Sequence, residues 1–195
     1  VLDLTLNTFN DSRQSRWHNT IGGYFPAKLQ RYQDLIEHHI SKNNMSVLDM
    51  LNTKYIINNG QDGQPVVQQN SGALGNAWFV DEIQKVETPN EEIDALTGLD
   101  TKTKAIVLDK EFNNYVDGFD PTPHTGDQIT LTAYEPDHLT YQANVSSEQF
   151  AVFSEIWYGP DKGWKVYLDG EPAPYVRADY VLRAMRIPAG EHKIE

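Results

Sequence analysis

Residues 128–145 read Gln-Ile-Thr-Leu-Thr-Ala-Tyr-Glu-Pro-Asp-His-Leu-Thr-Tyr-Gln-Ala-Asn-Val. Two alternating runs, Gln128 to Tyr134 and Leu139 to Val145, flank the turn formers Glu135-Pro136-Asp137-His138. A period of two puts successive side chains on opposite faces of a strand, and the Pro-Asp pair turns the chain back. This is an antiparallel pair. Phe150 to Tyr158, Trp164 to Leu168, Tyr180 to Ile187 and His192 onward follow at short spacing, with Asp169-Gly170 as a tight hairpin turn. The spacing predicts an antiparallel, jelly-roll-like β-sandwich over residues 126–195.

Upstream the pattern is mixed. Residues 113–127 hold two Pro, two Gly and three Asp, which makes them the main linker candidate. Before them, Leu29, Tyr32, Leu35, Ile36 and Ile40 recur on one helical face, predicting an amphipathic helix over 26–41 begun by Pro26 and stopped by Asn43-Asn44. Ser46 and Asp49 frame a short helix over Val47 to Leu51. Lys54 to Asn58 is a strand, and Val66-Val67 pairs back onto it across two turn signals. Ala77 to Val86 is a strand, Thr88-Pro89-Asn90-Glu91 starts a short helix, and Ala105 to Leu108 is a buried strand. The fold class is therefore α+β. An N-terminal helix/strand part, 1–125, is expected to pack on the C-terminal sandwich in one compact body.

Composition narrows the function classes. The chain has 195 residues, 39% of them hydrophobic, and no cysteine. That excludes disulfides and Cys-ligated metal. No apolar run approaches the roughly 18 residues of a membrane helix. The net charge of −12 is uneven: residues 81–161 carry 17 acids and four bases, whereas residues 1–80 carry six of each. No basic stripe is present, so nucleic acid is not an expected partner. Residues 188–190 (Pro-Ala-Gly) feed an alternating run, His192 to Glu195, with no terminator. An open last strand is a ragged edge, so the chain reads as a piece of a longer protein.

Several segments together carry a resemblance. Phe9-Asn10-Asp11-Ser12-Arg13, Ile21-Gly22-Gly23-Tyr24, Ala27 to Gln33 and Leu48 to Ile57 stand in the N-terminal third. A Gly-Trp strand, an Asp-Gly turn, Arg177-Ala178-Asp179-Tyr180 and Pro188-Ala189-Gly190-Glu191-His192 stand near the end. In this order, from about Thr8 on, they resemble the soluble C-terminal domain of the bacterial YfhO family. Members are polytopic membrane proteins similar to GT-C-type glycosyltransferases, which use lipid-linked sugar donors. The resemblance implies an extracytoplasmic domain tethered by transmembrane helices outside this sequence. It implies the membrane-embedded part of the same chain as partner, with a polyprenyl-phosphate sugar or a surface glycan as ligand. The catalytic acid and a divalent metal would belong to an early loop of the parent protein, so this chain is expected to hold no cofactor and no catalytic residue.

The densest polar segment runs from Asn10 to Tyr32. Its candidate ligand-binding residues are Asn10, Asp11, Arg13, Trp17, His18, Tyr24, Lys28 and Arg31. Arg suits bidentate binding of phosphate, and aromatic faces suit sugar rings. The same composition also serves a loop that hydrogen-bonds only to itself. Trp157, Tyr158, Trp164 and Tyr167 surround the Gly159 to Gly163 turn, either as an exposed sugar platform or as core. Asp117, Asp120 and Asp127 offer oxygens to calcium but lack the EF-hand spacing. Arg177, Asp179, Arg183 and Arg186 read as cross-strand ion pairs. Three functions follow: an accessory domain that positions a donor or acceptor, a carbohydrate-binding module, or a purely structural domain.

Overall fold

The structure is a computed structural model that describes residues 1–195, the side chain of Pro160 excepted. It is a mixed α+β chain with four short α-helices and several small sheets. It divides into two compact units, Val1–Leu74 and Gly75–Glu195. Residues 75–125 thus share a unit with the alternating strands that follow them.

The first unit contains β1 (Leu2–Asp3), α1 (Gln30–His38), α2 (Met45–Met50), β2 (Tyr55–Asn59) and β3 (Pro65–Gln69). The hairpin is as expected, with Ile57 opposite Val67 and Asn58 opposite Val66. β1 adds to it in parallel, a pairing that two residues of sequence do not announce. The helix expected over 26–41 begins at Gln30. Pro26 lies in a turn instead, where its fixed φ is equally at home. Asn43 stops the helical path in the left-handed region at φ 55°, and the Asn44 side chain, not Ser46, caps α2 by accepting from Val47 N. Leu2, Leu35, Ile36, Ile40, Val47, Leu48 and Met50 are buried here, each contributing about 1.5–3 kcal/mol.

The second unit contains β4 (Ala77–Phe79), β5 (Glu82–Val86), α3 (Pro89–Asp94), β6 (Lys104–Leu108), α4 (Asp109–Val116), β7 (Gln128–Glu135), β8 (His138–Val145), β9 (Gln149–Ile156), β10 (Tyr167–Leu168), β11 (Glu171–Pro172), β12 (Val176–Ala178), β13 (Leu182–Ile187) and β14 (Gly190–Ile194). The stretch 77–86, expected as one strand, is two strands in different sheets. One sheet has the order β11-β10-β14-β8-β7, a second β12-β13-β9-β4, and β5 pairs in parallel with β6. Thr88 caps α3 by accepting from Glu91 N, as its sequence requires. One apolar cluster joins the two larger sheets: Leu139, Tyr141, Ala143, Val145 and Ile194 from one, Ala151, Phe153, Met185 and Ile187 from the other.

Asp179 fastens β6 to the four-stranded sheet. With Tyr180 it forms the turn between β12 and β13, both residues at positive φ (50° and 70°). Its backbone N donates to Ile106 O (2.9 Å), and its carboxylate accepts from Ile106 N (2.8 Å). The Pro/Gly-rich stretch 113–127 is stitched into this unit. Tyr115 Oη donates to Pro174 O and accepts from Arg186 N, while Asp127 accepts from Ser146 and from Gln149 Nε2.

Candidate functional site

The second unit contains a cleft of 680 Å³. Its walls come from the two larger sheets. β8 supplies Leu139 and Tyr141, and the end of β14 supplies Ile194 with Glu195 beyond it. β9 supplies Phe153 and Glu155, β13 supplies Arg183 and Met185, and the segment 162–167 closes one side with Trp164 and Tyr167. The floor is therefore apolar and aromatic. Tyr141 and Phe153 meet edge to face, ring centres 4.9 Å apart.

The ladder between β9 and β13 is irregular beside the cleft. β13 pairs Leu182 with Ile156 and then Arg183 with Phe153, so the register shifts across Ser154 and Glu155. Glu155 stands two residues after Phe153, on the same face by the period of two, and both line the cleft. Arg183 donates from Nε to Ile156 O (3.0 Å), and its guanidinium carbon lies 4.1 Å from the ring centre of Trp164. Tyr175 Oη donates to Tyr158 O at 2.7 Å, fixing the backbone beside the 159–163 turn. On the rim, Glu195 is engaged by Lys193 (2.8 Å) and by His138 Nε2 (3.2 Å).

The electrostatics of the wall are those of groups held away from water without full compensation. Burial pushes the Glu155 carboxyl above its usual range, and the attraction of Arg183 opposes it. Burial pulls Arg183 down against the attraction of Glu155. The Tyr141 hydroxyl is pushed up by burial and has no hydrogen-bond partner among the described residues. A buried hydroxyl without a partner costs about 1–3 kcal/mol. The wall therefore presents a hydroxyl, a carboxyl and a guanidinium beside the rings of Phe153, Trp164, Tyr167 and Tyr175.

The eight candidates from the sequence lie in the first unit, and none lines this cleft. Asn10 bonds to Asn7 through backbone and side chain. Asp11 forms an ion pair with Arg13, which holds its carboxyl down at about 2. Lys28 lies 5.6 Å from the Phe9 ring centre and bonds to Gln33. Trp17, His18 and Tyr24 are exposed and Arg31 is half-buried. Tyr32 donates to Ile21 O (2.7 Å), pinning the segment to α1.

Of the four aromatics near the 159–163 turn, Trp164 and Tyr167 line the cleft, whereas Trp157 packs against Phe112 and Tyr175. Asp117 pairs with Lys85 and Asp127 with Ser146, so these acids do not converge. Among the described residues no group of three metal-ligating side chains is present. Arg177 binds Glu92 and Glu111, Arg186 binds Glu148, and Asp179 binds backbone, so the ion pairs expected within that arginine-rich set go to other partners. Tyr141, Glu155 and Arg183 were not singled out as a site by sequence. The one signal was the polar pair Ser154-Glu155 interrupting an apolar strand.

No family model, curated protein or solved structure matches the chain. Among the described residues, no helix is long and apolar enough to cross a membrane.

Proposed function

We propose that the two larger sheets form a β-sandwich whose open end holds a saccharide, and that the chain is an extracytoplasmic accessory domain of a membrane protein resembling lipid-linked-sugar glycosyltransferases. In this role it positions the sugar of a donor or acceptor. The observation that carries the ligand class is the Tyr141 hydroxyl, without a partner among the described residues, on one wall with Glu155, Arg183 and Trp164. A sugar has apolar C–H faces that suit aromatic rings and hydroxyls that both donate and accept. Its hydroxyls would donate to Glu155, accept from Arg183, and satisfy Tyr141. The resemblance of the sequence to the YfhO family supplies the membrane setting.

The cleft fits positioning better than bond cleavage. Glycoside hydrolysis takes two cooperating carboxyl groups. Here Glu195 is tied to Lys193 and His138, and Asp137 sits on an exposed turn, which leaves Glu155 without a second carboxyl in the interior. A carbohydrate-binding module for surface glycan would use the same groups, favoured by Trp164 and Tyr167 on the wall.

Sugar transfer by the parent membrane protein carrying Trp164→Ala tests the accessory role. The expected result is a loss of at least tenfold, with no glycoside turnover by the isolated chain. Unchanged transfer by this variant, with glycan binding by the isolated chain intact for wild type, would replace the accessory role with the binding module. Unchanged transfer with no glycan binding would leave a structural domain.

A further inference from the structure

Residues 12–31 are unlike the rest of this acidic chain. They contain Arg13, Arg16, Lys28 and Arg31 and no acid, in a protein of net charge −12. The same twenty residues carry three of its most exposed large aromatic side chains: Trp17 at 82%, Phe25 at 64% and Tyr24 at 59%. An exposed Leu or Val is ordinary, but three exposed large rings on one short segment are not.

The backbone of this segment is held, so the rings are kept outside rather than left to fold inward. Ile21 N donates to Val1 O (3.1 Å), Gly23 N to Thr8 O (2.6 Å), and Tyr32 Oη to Ile21 O (2.7 Å). Gly22 permits the approach, because a Cβ there would run into the Thr8 carbonyl. Gln14 is buried beneath, and Thr20 bonds to it and to Val1 O.

We propose that residues 12–31 form a lipid-contact surface for an anionic bilayer. Rings with an apolar body and a polar edge settle at the headgroup level of a membrane, as Trp17 and Tyr24 would, and Phe25 adds apolar depth. Bases near an anionic surface are attracted within about a Debye length. Arg16 is exposed and next to Trp17 in the chain. Arg13 is already paired with Asp11, so it contributes less. Charge complementarity selects this occupant. The chain's acids concentrate in residues 81–161 and would be repelled by anionic lipid, whereas this segment has none. The surface belongs to the first unit and the saccharide cleft to the second, and neither depends on the other.

The test is co-sedimentation of the chain with vesicles of phosphatidylglycerol mixed into phosphatidylcholine, against phosphatidylcholine alone. The expected result is binding to the anionic vesicles that falls at least tenfold between about 50 and 300 mM salt. Trp17→Ala/Phe25→Ala should weaken it a further tenfold. Brominated lipid should quench part of the tryptophan fluorescence of the wild type, and that part should vanish in Trp17→Phe. No sedimentation with anionic vesicles overturns the proposal. So does sedimentation that survives both ring removals, or quenching that persists in Trp17→Phe, since either places the contact elsewhere.

Discussion

The guanidinium of Arg183 is sandwiched electrically between two unlike neighbours: the Trp164 ring, 4.1 Å from its carbon, and the carboxyl of Glu155, whose attraction raises its proton affinity. Desolvation works against both charges. Among the described residues Arg183 finds its acceptor in backbone, Ile156 O. A polar ligand would add to these contacts.

Arg183→Met should raise the Glu155 pKa further, because it removes the one attraction that opposes burial there. Carboxyl titration followed by NMR is the measurement. The same logic gives the pH dependence of binding. A ligand that donates to Glu155 favours the ionised form, so affinity should rise as pH increases through the free protein's elevated Glu155 pKa. Calorimetry in buffers of different ionisation enthalpy should record proton release near that pKa.

Asp179 should make the chain less stable as pH rises through the weakly acidic range. Burial first, and Glu92 in addition, push its carboxyl up to about 7. Between the ordinary carboxylate value near 4 and that value, the folded state holds a proton that the unfolded state has lost, so stability falls with increasing pH. Asp179→Asn should flatten the denaturation profile between about pH 4 and pH 7, gaining roughly 2–4 kcal/mol relative to wild type at the upper end. An unchanged slope would mean Asp179 ionises freely.

Arg177→Ala should destabilise the second unit by about 3–5 kcal/mol. Glu92 is fully buried and Arg177 reaches it at 3.4 Å, with Phe112 and Trp157 rings each 5.4 Å away. Removing the cation takes away the charge that the buried Glu92 faces. Arg177→Met/Glu92→Gln should recover much of the loss in urea denaturation, because neither charge is then left alone.

Gly22→Ala should destabilise the first unit by more than about 1 kcal/mol. The added methyl meets the Thr8 carbonyl and, at 2.9 Å, Thr8 Cγ2. Gly23→Ala strains the left-handed backbone at φ 112° but meets no neighbour. Thermal melts of the two variants separate crowding from backbone strain.

The strands were legible where one face is buried and the other wet. Leu139, Tyr141, Ala143 and Val145 alternate with exposed or half-exposed residues, and β8 runs as read. Asp169-Gly170 turns at φ 54° and 88°, as an Asp-Gly hairpin requires. What was not legible depends on distant partners. β1 exists only because β2 lies beside it, and the break between β4 and β5 exists because the two join different sheets. The acidic stretch 113–127 has the composition of a linker, yet Tyr115 and Asp127 anchor it through residues 19 to 71 positions away. The cleft was hidden for the same reason. Tyr141, Glu155 and Arg183 lie on three strands, so no single stretch of sequence shows them together. The aromatic half of that wall, Trp164 and Tyr167, was visible as a cluster, though nothing local distinguished it from Trp157, which packs inward.

The most direct measurement is an NMR titration of the chain with a panel of mono- and oligosaccharides, observing the indole N–H groups and the Arg183 Nε–H. The account predicts saturable shifts at Trp164 and Arg183, little change at Trp17 or Trp78, and loss of the response in Tyr141→Phe or Glu155→Gln with the melting temperature held or raised. Saturable shifts confined to residues of the first unit, or no shifts with any saccharide, would contradict it.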